Sequence, residues 1–432
     1  MIADDAINTH EKVRDFQNRL YLTAKADRKR KFYAMYDKIY RKDILEEAWK
    51  RVKRNGGAGG IDKVSIIDVK AYGEGKLLDE IAEELRIEKY RCKPVRRTYI
   101  PKADGKKRAL GIPTIKDRIV QMAAKIVIEP VFEADFQPCS YGFRPKRSAL
   151  QAMDRIFKVA DKGGALWVID ADIKDYFGSI SHDKLLLLVE QRIADRKVLK
   201  LIKGWLKAGM LEAGQYSEST LGAPQGGVIS PLLSNIYLNY FDVLWNKRFS
   251  HLGELVRYAD DFVILCKRKA QAEEALKAVK WIMDKLELTL HSEKTKLVDM
   301  YFGKDNFDFL GFNNRFQRFR NKSWKWYWTL QQVPSKKAMK KMRANIKEVF
   351  SSPSKLLWSM EEMVKLLNPK IIGMRNYYAR RFTIPWLWKI EKYINSKFTR
   401  WYNRKKQRNY RVGNAVKVRE LTLQAGLASI CG

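Results

Sequence analysis

Two short stretches put aspartates where a folding chain ordinarily avoids them. Trp167-Val168-Ile169-Asp170-Ala171-Asp172-Ile173-Lys174-Asp175-Tyr176-Phe177 opens as a buried strand that carries carboxylates. Leu255-Val256-Arg257-Tyr258-Ala259-Asp260-Asp261-Phe262-Val263-Ile264-Leu265 reads as an apolar strand, a tight turn and a second apolar strand, a hairpin with Asp-Asp at its turn. Taken alone, the second stretch is ordinary turn chemistry, since Asp is a common turn residue. The first is not, because strand interiors are poor in Asp and a buried carboxylate must be paired or bound to a metal. Two strands bringing carboxylates to one spot suggest a two-metal site. Two hard cations about 3.5–4 Å apart can activate an attacking 3′-hydroxyl and neutralise a leaving pyrophosphate. Mg²⁺ takes a few carboxylates plus substrate phosphates, and these acids suit it.

The elements that must hold these acids come from a chain of 432 residues, a length for two or three domains, with 46% hydrophobic and 12% aromatic residues. That composition buries real cores and excludes a disordered basic protein. The spacing predicts helices over residues 11–27 and 28–55, ending at Gly56-Gly57-Ala58-Gly59-Gly60. Residues 61–165 mix helices with a short strand pair, and 166–312 alternate strands with helices. Residues 330–410 return to helical periodicity, with breaks expected at Pro353, Pro369 and Pro385. There is no tandem repeat and no low-complexity linker. No apolar run approaches the ~20 residues of a membrane span. The polar start, with Asp4 and Asp5, does not read as a targeting peptide. Cys92, Cys139, Cys266 and Cys431 are scattered and His totals four, which argues against a zinc module or a disulfide scaffold.

Charge narrows the partners. The formal net charge is +36, and residues 315–432 hold 28 Lys/Arg against five acids, so +23 of it lies there. A solvated face would interleave both signs; this excess calls for a polyanion, and nucleic acid is the obvious one. Seven of the 12 Trp share the region: Trp324, Trp326, Trp328, Trp358, Trp386, Trp388 and Trp401. They suit either the core of a helical module or stacking on unpaired bases.

The two acidic stretches belong to an ordered series. Tyr258-Ala259-Asp260-Asp261 resembles the catalytic box of reverse transcriptases in the form common among bacterial group II intron proteins, and Asp172 with Phe177 five residues on resembles the first metal-binding motif of the palm. Arg97-x-x-Ile100-Pro101-Lys102-x-x-Gly105-x-x-Arg108-x-Leu110-Gly111-Ile112-Pro113 resembles the fingers motif, followed by Asp117-Arg118 and Gln121. Ser140-Tyr141-Gly142-Phe143-Arg144-Pro145, Gly222-Ala223-Pro224-Gln225-Gly226-Gly227-Val228-Ile229-Ser230-Pro231, Lys294 in Ser292-Glu293-Lys294-Thr295, and Phe309-Leu310-Gly311-Phe312 resemble the remaining blocks in order. Beyond them, Ile372-Gly373-Met374-Arg375-Asn376-Tyr377-Tyr378 is similar to a block in the thumb, or X, domain of intron maturases, with Met374 where that family commonly has Trp. Asn55-x-Gly57-x-x-Gly60-x-Asp62 resembles its N-terminal extension motif.

This resemblance implies an α+β right-hand polymerase: an N-terminal helical extension (1–62), fingers and palm (63–312), and a basic helical thumb/X domain (313–432). It implies Asp172, Asp260 and Asp261 as ligands of two Mg²⁺ ions, with Mn²⁺ as a substitute and Asp170 as the alternative in the first motif. Phe177 is expected under the sugar, excluding a 2′-hydroxyl. Lys102 and Arg108 are expected to clamp the triphosphate, Gln225 to line the pocket, and Lys294 to protonate the leaving pyrophosphate. Tyr141, Phe143 and Arg144 are expected to support the template path. Arg144, Arg375 and the cluster Arg404, Lys405, Lys406 and Arg408 are expected to bind nucleic acid. The implied partners are a group II intron RNA, an RNA template with a DNA primer, and deoxynucleotides, in a bacterial cytoplasm at the nucleoid.

Only 21 residues follow Arg411, too few for a DNA-binding module plus a nuclease, so an endonuclease-lacking type priming from an existing 3′ end is expected. Two other readings compete with a polymerase acting as maturase and mobility factor. One is an RNA-binding splicing cofactor with an idle polymerase, against which the intact carboxylates argue. The other is a domesticated relative in phage defence or DNA repair.

Overall fold

The computed structural model describes residues 2–101, 107–212, 215–217, 221–222, 226–321, 323–407 and 412–431. It is a mixed helix and sheet structure. The chain divides into two compact units: residues 1–148, 171–264 and 273–295 form one, and residues 149–170, 265–272 and 296–432 the other. The functional cuts expected at 62/63 and 312/313 follow the chain, whereas these units are discontinuous along it.

The first unit is organised around the helix Ile115–Glu133, whose inner residues Ile119, Val120, Ala123, Ala124, Ile126, Val127 and Ile128 are fully or almost fully buried. A helix apolar on most of its circumference must be wrapped by others. Here helices Ile2–Ala26 and Lys42–Asn55 pack on it. Thr114 caps it by accepting from the Asp117 amide at 3.1 Å. The second helix is shorter than the periodicity of residues 28–55 suggests. Phe32 forms an isolated parallel bridge with Ile193, its amide donating to the Arg192 carbonyl at 2.8 Å, and this tertiary pairing overrides local propensity. The glycine run follows as expected: Gly56 (φ +64°) ends the helix, and a Cβ on Gly60 would lie 2.7 Å from the Thr114 backbone. The same unit holds a four-stranded sheet in the order Lys107–Ile112, Val95–Pro101, Met210–Glu212, Gln215–Ser217.

In the second unit, strand Trp167–Ala171 pairs antiparallel with Lys296–Asp299, placing Asp170 opposite Lys296. A three-stranded sheet runs Trp326–Pro334, Phe312–Arg320, Asn306–Phe309. Helices Lys336–Val349, Met360–Tyr378, Ile384–Lys405 and Val412–Gln424 close a core of Met342, Ile346, Met363, Leu367, Ile371, Leu387, Ile390, Ile394 and Phe398. Pro385 stands at a helix start and Pro353 opens a 3₁₀ turn, as expected of breaks. Pro369 does not break its helix, which continues to Tyr378. The preceding Asn368 anchors that stretch, donating to the Gly426 carbonyl and accepting from the Ala428 amide, both at 2.9 Å. Trp401 joins the core with Trp358 and Trp386 packed against it, whereas Trp324, Trp326, Trp328 and Trp388 are exposed. No helix among the described residues is long and apolar enough to cross a membrane.

Candidate active site

The hairpin Glu254–Tyr258 and Asp261–Cys266 turns through Ala259 and Asp260, and Ala259 adopts the left-handed region at φ +58°. That geometry costs an L-residue energy and must be imposed by its surroundings. Arg257 supplies the constraint. Its guanidinium donates to the Ala259 carbonyl at 2.8 Å, to Asp242 Oδ1 at 2.8 Å, to Asn235 Oδ1 at 3.2 Å and to the Ser140 hydroxyl at 2.8 Å. Neither side chain of the Arg257–Asp242 ion pair is exposed. Burial is the largest single influence and would lower the guanidinium's pKa, but the charge and hydrogen bond of Asp242, with Cys139 and Tyr176, together turn the net direction up. Backbone contacts add to this: the Arg257 amide donates to the Cys139 carbonyl at 2.8 Å, and the Tyr141 amide to the Arg257 carbonyl at 2.9 Å. A Cβ on Gly142 would come within 2.4 Å of the Ala259 nitrogen, so only glycine lets this block lie against the turn.

The turn therefore presents Asp260 half-buried and Asp261 exposed. Asp260 lies near Tyr176, a fully buried phenol that burial pushes well above its usual range, with the Asp260 charge adding to the shift. Tyr176 donates to the Ser234 carbonyl at 2.8 Å and holds Phe177 beside it, ring centroids 5.3 Å apart.

Asp172 follows the end of its strand and crosses into the first unit, where residues 289–295 strap it. The His291 amide donates to the Asp172 carbonyl at 2.8 Å, the Lys174 amide to the Thr289 carbonyl at 2.9 Å, and Ile173 bridges Leu290. The same turn delivers Lys294, whose ammonium forms an ion pair with the Asp172 carboxylate. Two expected site residues 122 positions apart in sequence thus meet. Asp170 stays in the second unit's ladder.

The glycine-rich block at residues 222–231 is fixed at both ends of its described part. The Gly222 carbonyl bonds His182 Nε2 at 2.7 Å, and Gly222 (φ +89°) is so close to Phe177 that a Cβ there would be 2.7 Å from the Phe177 carbonyl. A Cβ on Gly226 (φ +112°) would be 2.5 Å from the Gly111 carbonyl, and the Val228 amide donates to Gln121 Oε1 at 2.9 Å. Phe177, the fingers motif and the glycine-rich block thereby share one neighbourhood. Lys102 and Gln225 lie outside the described residues, as does the side chain of Arg108.

The remaining expected residues are placed less uniformly. Arg144 is buried: it donates to Glu133 Oε1 at 2.6 Å and to the Gln137 and Ser140 carbonyls at 2.6 and 2.9 Å. It braces the block that touches the turn. Phe143 is exposed, 6.5 Å from the Tyr258 ring, and Tyr141 is buried. In the second unit Arg375 is half-buried and donates to the Ser429 carbonyl at 3.2 Å. Lys405 donates to the Leu357 and Trp358 carbonyls, Arg404 and Lys406 are exposed, and Arg408 lies outside the described residues. Two motifs meet there: the Tyr377 hydroxyl donates to the Leu310 carbonyl at 2.8 Å, and a Cβ on Gly311 would be 2.7 Å from the Tyr378 hydroxyl.

Among the described residues no three His, Cys, Asp or Glu form a ready-made metal cage. The donor set still fits a hard cation that keeps water and substrate oxygens as ligands, since one or two carboxylates suffice for Mg²⁺. Asp172 already attracts a cation, the Lys294 ammonium, to its partly exposed carboxylate. The Arg257 network was missed from sequence. Its signal was the one that betrayed the aspartates, a charged side chain inside an apolar strand.

The reverse transcriptase (RNA-dependent DNA polymerase) family matches residues 100–314, and the group II intron maturase-specific domain matches residues 339–419. Protein YkfC of Escherichia coli (strain K12) is 34% identical over 339 residues, covering 69% of this chain and 87% of YkfC. Group II intron-encoded protein LtrA of Lactococcus lactis subsp. cremoris is 40% identical over 213 residues, 49% of this chain but 35% of LtrA. An uncharacterized 91 kDa protein in the cob intron of Schizosaccharomyces pombe is 28% identical over 414 residues, covering 79% of this chain and half of that protein.

Proposed function

The chain belongs to the group II intron-encoded reverse transcriptase/maturase family, and from that premise we propose an RNA-directed DNA polymerase that extends a primer 3′ end with deoxynucleotides and acts with a group II intron RNA in splicing and mobility. The observation that carries the reading is the pairing of Asp172 with Lys294 in the unit whose rigid turn presents Asp260 and Asp261. We assign residues 1–62 to an extension, 63–312 to fingers and palm of a right-hand polymerase, and 313–432 to a thumb/X domain.

In this mechanism the carboxylates of Asp172 and Asp260, with Asp261 beside them, would hold the divalent ions that this family generally uses, two Mg²⁺ in this reading. Such ions would supply activation of the primer 3′-hydroxyl and positive charge against the leaving pyrophosphate. Lys102 and Arg108 hold the triphosphate, placing positive charge where negative charge develops. Gln225 lines the pocket, and Phe177 fills the space a 2′-hydroxyl would need. Lys294, displaced from Asp172, gives a proton to the pyrophosphate. The basic residues of the last domain, Arg375, Arg404, Lys405, Lys406 and Arg408, hold intron RNA.

The test is primer extension on an RNA template with Mg²⁺. Wild-type protein extends and Asp260→Ala loses extension while retaining RNA binding. Extension by Asp260→Ala at near wild-type rate removes the assignment.

A further inference from the structure

The hairpin Phe312–Arg320 and Trp326–Pro334 lies wholly in the second unit. Directly opposed residues of an antiparallel pair share a face. One face therefore runs from Phe312 and Pro334 at the base, through Asn314/Gln332 and Phe316/Leu330, to Arg318/Trp328 and Arg320/Trp326 near the tip. Its inner half is core. Phe312 and Leu330 have no exposure, and Asn314 is buried and accepts from Gln332 at 3.1 Å.

The outer half keeps the large aromatic residues but loses the cover. Trp326 is 50% exposed and Trp324 at the tip 75%. Cationic planes alternate with the indoles: Arg320 lies 4.5 Å from the Trp326 ring centre and 5.1 Å from that of Trp324, and Arg318 lies 4.7 Å from Trp326. Trp328 stacks on Phe316 at 5.7 Å with 9° between planes, and exposed Phe302 abuts its edge at 5.8 Å. The hairpin carries Arg315, Arg318, Arg320, Lys322 and Lys325 and not one acid. Clustered exposed aromatic side chains of this kind are typical of a binding face.

We propose that this outer face is a stacking platform for an unpaired stretch of RNA. The indoles offer flat faces to bases, and the guanidiniums offer charge to phosphates. A duplex hides its base faces and would use the cations alone. The absence of any acid among five cations favours a phosphate chain over a protein partner. The proposal rests on the reading of the chain as an RNA-handling polymerase and names a surface that reading does not assign.

The test uses full-length protein and fluorescence anisotropy with a short unstructured RNA and a blunt RNA duplex. Trp326→Ala weakens single-strand binding by about tenfold, the order expected for one lost stack, and leaves duplex affinity unchanged. Trp326→Phe, which keeps a flat face, restores most of it, and thermal melts establish that the variants fold. Unchanged single-strand affinity, or equal losses on both RNAs, overturns the proposal. Primer extension by the wild-type preparation tests the polymerase reading separately, so the failure of one is not read as the failure of the other.

Discussion

The guanidinium of Arg257 and the carboxylate of Asp242 form an ion pair with no solvent exposure on either side, and the same guanidinium holds the Ala259 carbonyl two residues ahead of it. A charge this deeply buried is tolerated only with a full set of partners, and here those partners fix the turn that aims Asp260.

Removing the cation leaves Asp242 buried without its partner. Arg257→Met is expected to destabilise the fold by about 3–5 kcal/mol, read as a shift in the denaturant midpoint. Arg257→Lys keeps the charge but not the fork of donors, so it retains more stability yet releases Ala259. For that variant the expected outcome is a folded protein whose primer-extension rate falls at least tenfold with little change in the Michaelis constant for deoxynucleotide. Wild-type extension by Arg257→Lys would show that the turn keeps its shape unaided.

The ion pair of Lys294 with Asp172 makes a metal titration informative. With Asp172 as the proposed metal ligand, the ammonium would compete with divalent metal for the same carboxylate. Lys294→Gln is therefore expected to lower the Mg²⁺ concentration that gives half-maximal extension, and to lower the maximal rate through loss of the proposed proton donor. A half-maximal concentration that rises instead would mean that Lys294 helps to hold substrate and does not occupy the metal's place.

Phe177 stands beside buried Tyr176 and against Gly222. Phe177→Ala opens space next to the pocket block. Ribonucleotide incorporation relative to deoxynucleotide is expected to rise by one to two orders of magnitude, of the size that one well-placed steric contact supplies. Discrimination that stays at the wild-type ratio in competition assays would assign sugar choice to another side chain.

The basic cluster near residue 405 does not act as a unit. Lys405 is committed to the Leu357 and Trp358 carbonyls, so its removal costs local structure. Arg404 and Lys406 are exposed and suit a clean test. Arg404→Gln with Lys406→Gln is expected to flatten the plot of log RNA affinity against log salt by roughly 0.7–0.9 per lost phosphate contact. An unchanged slope and affinity would leave these cations a solubility role only.

Much of the site was legible because its residues break local rules. Aspartates in an apolar strand, glycines spaced for close approach and a charged hairpin turn are visible in windows of about ten residues. The Arg257 network was not, since its partners Asp242, Asn235 and Ser140 stand 15, 22 and 117 positions away. The bonds that bury Arg144, to Glu133 and two carbonyls, were likewise outside the reach of periodicity. The helix expected over 28–55 was interrupted because Phe32 finds Ile193, a pairing that no periodicity encodes. Pro369 was tolerated because Asn368 and its neighbours secure that helix from outside.

The discontinuity of the two units bears on how the protein is dissected in the laboratory. A fragment ending at residue 312 keeps residues 149–170 and 265–272 but discards most of the body they fold with. Strand Trp167–Ala171 would still have Lys296–Asp299, but the Met153 carbonyl and the Asp161 carboxylate would lose the Gln332 and Leu330 donors that satisfy them. Two internal stretches would be left with exposed apolar surface, the usual origin of inclusion bodies. Polymerase and maturase portions defined by linear boundaries are therefore poor expression cassettes, and separating their activities calls for point substitution in the intact chain.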